Sequence, residues 1–260
     1  MYTLKEILEK VAKNQISVAN AEKQLRILAI DEVGNVANID THRELRKGIP
    51  EVILAEGKAT DDLVEIVLKM LTANGRVIAS RCNTQQVDEI KKVVPNDASV
   101  QVFGKARMIV VQKKDFVVSG SGGRVGIITA GTSDIPVAEE ARVITEMMGC
   151  RVVTAYDLGV AGIHRLLKPL KDMITEDIDV LVVIAGREGA LASVVAGMVD
   201  VPVIAVPTSN SFGFGGKGVS TLMAMLQSCS LGLAVVNIDS GVAAGAVATL
   251  IANRAAKFRN

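Results

Sequence analysis

The second half of the chain alternates short aliphatic runs with segments of helical periodicity. Five runs of branched aliphatic residues predict strands: RVGIITA, RVVTAYD, VLVVIAG, PVIAVP and GLAVVNI. A segment with apolar residues three and four positions apart follows each run, as VAEEARVITEMMG follows the first. Uninterrupted aliphatic runs are typical of parallel strands that are buried on both faces. Residues 124–260 are therefore predicted to form a doubly wound parallel sheet of about five strands, an α/β fold of the flavodoxin-like type.

The first half of the chain has the same two kinds of segment in a less regular order. LKEILEKV and VANAEKQLRILAI predict a helical arm or hairpin over residues 1–30, and ANIDTHRELRKG and EVILAEG are expected to be extended. Helix and strand then alternate through DDLVEIVLKMLTANG, RVIAS, TQQVDEIKKVV, SVQVFG and ARMIVVQ. We predict a smaller α/β domain over residues 1–118, joined to the second by the flexible linker SGSGG at 119–123.

Composition narrows the class of protein. Hydrophobic residues make up 49% of the chain but aromatic residues only 3%, so the core is expected to be aliphatic. The net charge is +1 without a basic run, which argues against nucleic acid or a membrane surface as partner and favours a small molecule. No apolar segment has transmembrane length and MYTLKEILEK is not a signal peptide, so we expect a cytoplasmic protein. The mean hydropathy of +0.36 predicts a homo-oligomer with an apolar interface.

The cysteines and histidines exclude two kinds of site. Three cysteines without CxxC spacing and two histidines argue against a disulfide framework and against a zinc centre, and the sequence identifies no set of metal ligands. At least one thiol is therefore free. We expect Cys82 and Cys150 to be structural.

Two loops that follow predicted strands carry candidate binding residues. In GTSDIP, Thr132, Ser133 and Asp134 either cap a helix or help its N-terminal amides to bind a ribose or a phosphate. In YDLGVAGIHRLL, Asp157 is a candidate binding residue, and His164 is either a surface residue or a group that moves a proton.

The next two loops offer charged side chains and glycines. In AGREGALAS, Arg187 can bind an anionic group and Glu188 can move a proton, although a carboxylate at a helix start is also favoured by the helix dipole. PTSNSFGFGGKGVS contains Ser209, Lys217 and GFGGKG at 213–218. With Asp239 after the fifth strand, GFGGKG resembles a dinucleotide fingerprint, but TSNSF separates it from the strand. The more modest inference that these residues support is a flexible, amide-rich loop beside Lys217 that can fold over phosphates.

Cys229 lies in MLQSCSLGLAVVNIDSG, between the fourth helix and the fifth strand of this half. It is either a small buried apolar residue or a nucleophile. A helix C-terminus disfavours a thiolate, so activation has to come from a cation: His164, Arg187, Lys217 or a positively charged substrate.

In order along the chain, GTSD, the histidine of the second helix, AGREGALASVVAGMV, PVIAVP and VNIDSGVAAGAVATLIA resemble the aminoimidazole ribonucleotide (AIR) carboxylase superfamily, which is PurE-like in fold, over residues 124 to about 255. Where the purine enzymes carry an Ala-His-Arg-Thr-Pro type of segment, this chain has GIHRLL, and where they carry Met-Pro it has SCSLG. HRELRKGIPEVILAEGK, YDLGVAGIHRLL, GREGALASVV and MLQSCSLGLAVVNIDSG resemble the LarB branch, the pyridinium-3,5-biscarboxylic acid mononucleotide synthases of nickel-pincer nucleotide biosynthesis.

The LarB resemblance implies a homo-oligomeric enzyme that converts nicotinic acid adenine dinucleotide and CO2 or bicarbonate to the dicarboxylated pyridinium mononucleotide and AMP. Cys229 would add to the ring, and Glu188 or His164 would take the proton from ring carbon C5. Asp239 would bind the ribose or support the site. No tightly bound cofactor is expected.

Cleavage of the phosphoanhydride to AMP also needs positive charge near the phosphates, and several groups are candidates for its source. Arg187, Lys217, the GTSD helix end and Mg²⁺ are the candidates in the second half of the chain. Arg43 and Arg46 are expected either to reach a neighbouring subunit's site or to form a solvated charged surface.

Three alternatives remain at this point. A nicotinamide-dependent oxidoreductase would use GFGGKG and Asp239 and would not need Cys229. A nucleotide-sensing module would bind ligand without turnover. A purine-pathway AIR carboxylase would act on aminoimidazole ribonucleotide.

Overall fold

The computed structural model describes residues 4–25 and 43–259, which divide into two compact units. The described residues of Met1–Gln101 and Ile109–Phe116 form the first unit, and those of Val102–Met108 and Val117–Asn260 form the second. None of the helices built by these residues is both long and apolar enough to cross a bilayer.

A four-stranded sheet with strand order β1-β2-β4-β3 organises the first unit, and β1 runs parallel to β2 while β4 runs antiparallel to it. The helix Thr60–Asn74 packs on this sheet through Leu63, Val67 and Met70, because its apolar residues recur along a single face. The elements are α1 (Leu4–Ala12), α2 (Val18–Leu25), α3 (Arg43–Lys47), β1 (Val52–Leu54), α4 (Thr60–Asn74), β2 (Arg76–Ser80), α5 (Thr84–Val93), β3 (Ala98–Phe103) and β4 (Met108–Lys113).

The expectation of extended structure for ANIDTHRELRKG is wrong where it can be tested. Residues 37–42 lie outside the described residues, and Arg43–Lys47 form α3. Five residues are too few to show an apolar period. The charges do fit a helix, because Glu44 lies in the first turn and Arg46 and Lys47 lie in the last.

The second unit confirms the predicted fold class. Five parallel strands form a sheet of order β6-β5-β7-β8-β9, which is the flavodoxin-like order 2-1-3-4-5. The elements are β5 (Arg124–Thr129), α6 (Ile135–Met147), β6 (Arg151–Ala155), α7 (His164–Thr175), β7 (Val180–Ala185), α8 (Ala190–Ala196), β8 (Val203–Pro207), α9 (Val219–Leu226), β9 (Leu233–Val235) and α10 (Gly241–Ala256).

Helices cover both faces of this sheet, as uninterrupted aliphatic strands require. The six residues of β7 are all buried. Side chains of α7, α8 and α9 pack on one face of the sheet, and small side chains of α6 and α10 pack on the other. All five strands therefore end at one edge, where the loops of the functional site begin.

The contact between α6 and α10 depends on glycine. A Cβ atom placed on Gly245 would lie 2.6 Å from the carbonyl oxygen of Ala141 and 3.0 Å from its Cα. Both atoms belong to the backbone of α6, so no side chain can move away to make room. The small residues of α10 thus set how closely the two helices approach.

We expect Gly245→Val to destabilise the protein by roughly 1–3 kcal/mol, the usual range for forcing extra atoms into a packed interior. Chemical denaturation followed by circular dichroism measures the change. Gly120→Ala is the control, since a Cβ on Gly120 meets nothing within 4 Å. A Gly245→Val protein as stable as the control would show that the helices can separate without loss.

Candidate active site

A cavity of about 340 Å³ lies where the strand order reverses, beyond the carboxyl ends of β5 and β7. Open parallel sheets bind ligands at this point because the loops after the two strands diverge to opposite faces. The cavity is lined by residues 130, 131, 133 and 134 after β5, 159–161 after β6, 185–188, 190 and 191 around the end of β7, and 210 after β8.

The carboxylate of Asp134, which is only 3% exposed, ties two of these loops together. Its Oδ2 accepts a hydrogen bond from the amide of Gly131 at 2.9 Å, and its Oδ1 accepts one from the hydroxyl of Thr208 at 2.7 Å. A buried carboxylate needs such donors. Asp134 therefore belongs to the floor of the cavity and shapes it.

Gly186 crosses directly over this pair. A Cβ at Gly186 would lie 2.9 Å from the hydroxyl oxygen of Thr208 and 3.7 Å from Oδ1 of Asp134. Any larger residue would separate the loop after β7 from the loop after β8. The glycine of AGREG is thus a requirement of close packing.

Arg187 follows with an unusual backbone that two hydroxyl groups hold in place. Its φ of 54° lies in the left-handed region, which is uncommon for a residue with a side chain. The amide donates to the hydroxyl of Ser211 at 2.8 Å, and the carbonyl accepts from the hydroxyl of Thr221. The guanidinium lies over the ring of Phe212, 4.1 Å from its centroid. Contacts of the backbone and of the guanidinium therefore both hold Arg187 in position.

A second cavity, of about 500 Å³, opens on the other side of Arg187 and Glu188. Both residues line both cavities, and both are exposed. The remaining walls of the second cavity are residues 212–215 and the α9 residues 220 and 224. Arg187 and Glu188, which the sequence analysis singled out, thus stand between two cavities, and their predicted roles stay predictions.

His164 and Asp157 lie beside the first cavity and do not line it. His164 is exposed at the start of α7, separated from the 159–161 segment by Gly162 and Ile163. Asp157 has a left-handed backbone (φ 61°) and forms an ion pair with Arg165 at 2.8 Å. Asp157 thus orients the start of α7, and its predicted role in binding substrate stays a prediction.

Three other predicted residues, Ser209, Lys217 and Asp239, lie in or next to the loop after β8. The amide of Ser209 donates to Oδ1 of Asp239 at 2.8 Å, which joins this loop to the one after β9. Lys217 is exposed, with a left-handed backbone (φ 53°) inside the glycine-rich segment. Thr132 is exposed, whereas its neighbour Ser133 lines the cavity.

Arg43 and Arg46 belong to the first unit, on α3. Arg43 forms an ion pair with Glu51 at 2.6 Å, and Arg46 is partly buried. The predicted reach of these arginines to a neighbouring subunit remains a prediction.

Cys229 lies at the opposite edge of the sheet. Its neighbours Ser228 and Ser230 bond to Ser193 in α8, at 2.8 and 2.7 Å. The Gly232 carbonyl, just before β9, accepts from the amide of Val203, the first residue of β8. The cavities lie beyond the other end of β8. The length of this strand is roughly 13 Å at about 3.3 Å per residue, so at least that distance separates Gly232 from the cavities. Within one chain the structure therefore does not bring Cys229 to Glu188.

Several residues of the site escaped the sequence analysis. Thr208, Asn210, Ser211, Phe212 and Phe214 all lie in PTSNSFGF. Asn210 donates to the carbonyl of Ser133 at 2.7 Å and closes the cavity wall. Their position directly after a strand was the available signal, but the glycines that follow suggested a phosphate loop instead.

Glu139 anchors the segment that leads from β6 to the cavity. The hydroxyl of Tyr156 donates to Oε1 of Glu139 at 2.6 Å, and Arg142 forms an ion pair with the same carboxylate at 2.7 Å. Burial raises the pKa of Glu139, but the bonds from Arg142 and Tyr156 outweigh burial and hold the pKa below its usual value. Burial and the bond to Glu139 raise the pKa of Tyr156.

Within residues 4–25 and 43–259, no group of three or more His, Cys, Asp or Glu side chains is placed to hold a metal ion.

Comparison with known proteins gives two family matches. Residues 30–114 match the LarB/PurE-like N-terminal domain, and residues 124–259 match AIR carboxylase. An uncharacterized protein of Methanocaldococcus jannaschii is 44% identical over 251 residues, or 96% of each chain. The N5-carboxyaminoimidazole ribonucleotide mutases of Thermotoga maritima and Pyrococcus horikoshii are 30% and 31% identical over 49% of this chain and over 74% and 71% of their own.

The Glu139 network predicts a pH-dependent stability. Since the folded pKa of Glu139 is below the ordinary value of 4.5, its stabilisation is complete above that pH and disappears as the pH falls. We expect Glu139→Gln to lower the free energy of unfolding by roughly 1–3 kcal/mol at pH 7, and by less at pH 4. Denaturation at both pH values measures this. Asp172→Asn, which removes an exposed ion pair with Lys168, is the control. An equal loss at both pH values would contradict the assignment.

Proposed function

Because the chain belongs to the AIR carboxylase family and carries the LarB/PurE-like N-terminal domain, we propose that it carboxylates the pyridinium ring of nicotinic acid adenine dinucleotide. The products would be pyridinium-3,5-biscarboxylic acid mononucleotide and AMP. The observation that carries the proposal is the exposure of Cys229, which leaves its thiol accessible to a substrate. Cys82 and Cys150 are buried and Cys229 is exposed. Burial also raises the pKa of Cys150, which disfavours its thiolate.

A pyridinium ring needs a nucleophile before it can react with CO2. The ring is electron-poor, and both CO2 and the ring are electrophiles. Addition of the Cys229 thiolate to a ring carbon next to C5 gives a dihydropyridine whose C5 is an enamine carbon and attacks CO2. A base then removes the C5 proton, the carbon–sulfur bond breaks, and the ring becomes aromatic again. Water cleaves the phosphoanhydride to release AMP.

The thiol and the base have to reach adjacent carbons of one ring, yet Cys229 and Glu188 lie at opposite edges of one sheet. We therefore assign them to different chains of a homo-oligomer. Apolar side chains on either side of Cys229 support this: Leu226 is 65% exposed and Leu231 is 91% exposed. Apolar surface of this kind is typical of subunit interfaces. A symmetric contact would bring each thiol to the partner's cavity.

The remaining roles follow from the charges around the two cavities. Arg187 stands between them and is positioned to bind the pyrophosphate, with Lys217 or Mg²⁺ as further sources of positive charge. Glu188 lines both cavities and His164 lies next to one, so either can take the C5 proton. The hydroxyl of Ser133 is available for a ribose.

Product analysis tests the reaction. We expect the protein to convert nicotinic acid adenine dinucleotide and ¹³C-bicarbonate to labelled dicarboxylated mononucleotide and AMP, detected by mass spectrometry with and without Mg²⁺. Cys229→Ser is expected to lose at least about a hundredfold in rate, because it removes the nucleophile. Cys150→Ser changes a buried thiol and is the control.

Labelled product from Cys229→Ser at the wild-type rate would keep the carboxylase and contradict the covalent step. Turnover of aminoimidazole ribonucleotide instead would favour the purine reaction. Reduction of a nicotinamide cofactor would favour the oxidoreductase. Ligand binding without any product would favour a sensing module.

Mixed oligomers test the shared site. With Glu188 as the base, Cys229→Ser and Glu188→Gln are each expected to lose at least about a hundredfold in rate when expressed alone. Co-expressed with distinguishable tags, they should regain roughly a quarter of wild-type activity, because random pairing in a two-fold contact rebuilds that fraction of sites. Native mass spectrometry verifies the mixing. Mixed oligomers that stay inactive would show that both residues act from one chain.

A further inference from the structure

Two phenylalanines of the loop after β8 are largely exposed, although the chain has few aromatic residues. The chain has five Phe, two Tyr and no Trp. Phe212 is 74% exposed and Phe214 is fully exposed, and both line the second cavity. Large apolar side chains are costly in water, so two rings in three residues indicate a surface that acquires a partner.

Short side chains of α9 form another part of the wall of this cavity. Ser220 and Ala224 lie one turn apart on α9 and both line it. The hydroxyl of Ser220 donates to the carbonyl of Gly215 at 3.0 Å, which ties the aromatic loop to the helix. This open depression of about 500 Å³, lined by two phenyl rings and by short side chains of a helix, is large enough for a planar, bicyclic group.

The guanidinium of Arg187 adds a planar, positively charged group next to the two rings. It lies on the ring of Phe212, 4.1 Å from the centroid, at the boundary between the two cavities. A neutral purine stacks well on both phenyl rings and guanidinium planes. A phosphate attached to that purine would meet the positive charge of Arg187.

We propose that the second cavity is the adenine subsite, in which Phe212 and Phe214 stack on the base of the AMP half of the substrate. This inference rests on the proposed function for the identity of the substrate. The pyridinium half then occupies the first cavity, the pyrophosphate lies at Arg187, and the aromatic loop determines that a dinucleotide is preferred over a mononucleotide.

Binding of AMP tests the subsite without turnover. The chain has no Trp, so Phe214→Trp introduces a single indole at the stacking position. AMP is expected to quench its fluorescence, and ribose 5-phosphate, which lacks the base, is not. By calorimetry, Phe212→Ala and Phe214→Ala should each weaken AMP roughly ten- to a hundredfold, while binding of nicotinic acid mononucleotide stays unchanged. Phe258→Ala removes an exposed ring that also pairs with an arginine, Arg254, and is the matched control.

Wild-type affinity for AMP in both alanine variants would overturn the inference, and so would an equal loss in Phe258→Ala or a wild-type protein that does not bind AMP. A smaller oligomer in Phe214→Ala, measured by light scattering, would overturn it in favour of a second copy of the chain on this loop. Turnover of the dinucleotide is measured separately. If the wild-type protein carboxylates the dinucleotide and the variants bind AMP normally, the adenine subsite is contradicted and the proposed reaction stands. If AMP binding depends on the loop but no carboxylation occurs, the subsite is supported and the proposed reaction is contradicted.

Discussion

The hydrogen bonds of one buried carboxylate hold the cavity together. Asp134 accepts from the Gly131 amide in its own loop and from the Thr208 hydroxyl in the loop after β8. Gly186, from the loop after β7, fits over this pair only because it has no Cβ. Three loops from three strands are thereby fixed to one another. Arg187 and Glu188 follow Gly186 directly, so the placement of the two charged residues of the site depends on this carboxylate.

The polarity of the sheet imposes the second constraint. All five strands are parallel, so loops that follow strands and loops that precede them lie at opposite edges. Glu188 follows β7 and Cys229 precedes β9. Under the proposed reaction, no local rearrangement of one chain could unite them, because the length of β8 lies between. Assembly of subunits would then be a condition for catalysis.

The sequence predicted the second unit well because buried parallel strands and amphipathic helices have strong, distinct patterns. It failed at α3, where five residues are too short for a period, and over GLAVVNI, where the strand covers only Leu233–Val235. Arg187 and Glu188 could be found because they follow a strand. The separation of Cys229 from them was already implicit in its position before a strand. The bond between Asp134 and Thr208 joins residues 74 positions apart, and no local pattern reports such a pair.

The position of Cys229 also bears on when its thiolate forms. Cys229 follows the C-terminus of α9, and its neighbour Ser230 donates to the carbonyl of Ser193 near the C-terminus of α8. Helix C-termini carry partial negative charge and disfavour an adjacent anion. In the proposed reaction the missing positive charge arrives with the substrate, since the pyridinium ring is a cation. The cationic ring would then stabilise the thiolate at the moment of attack.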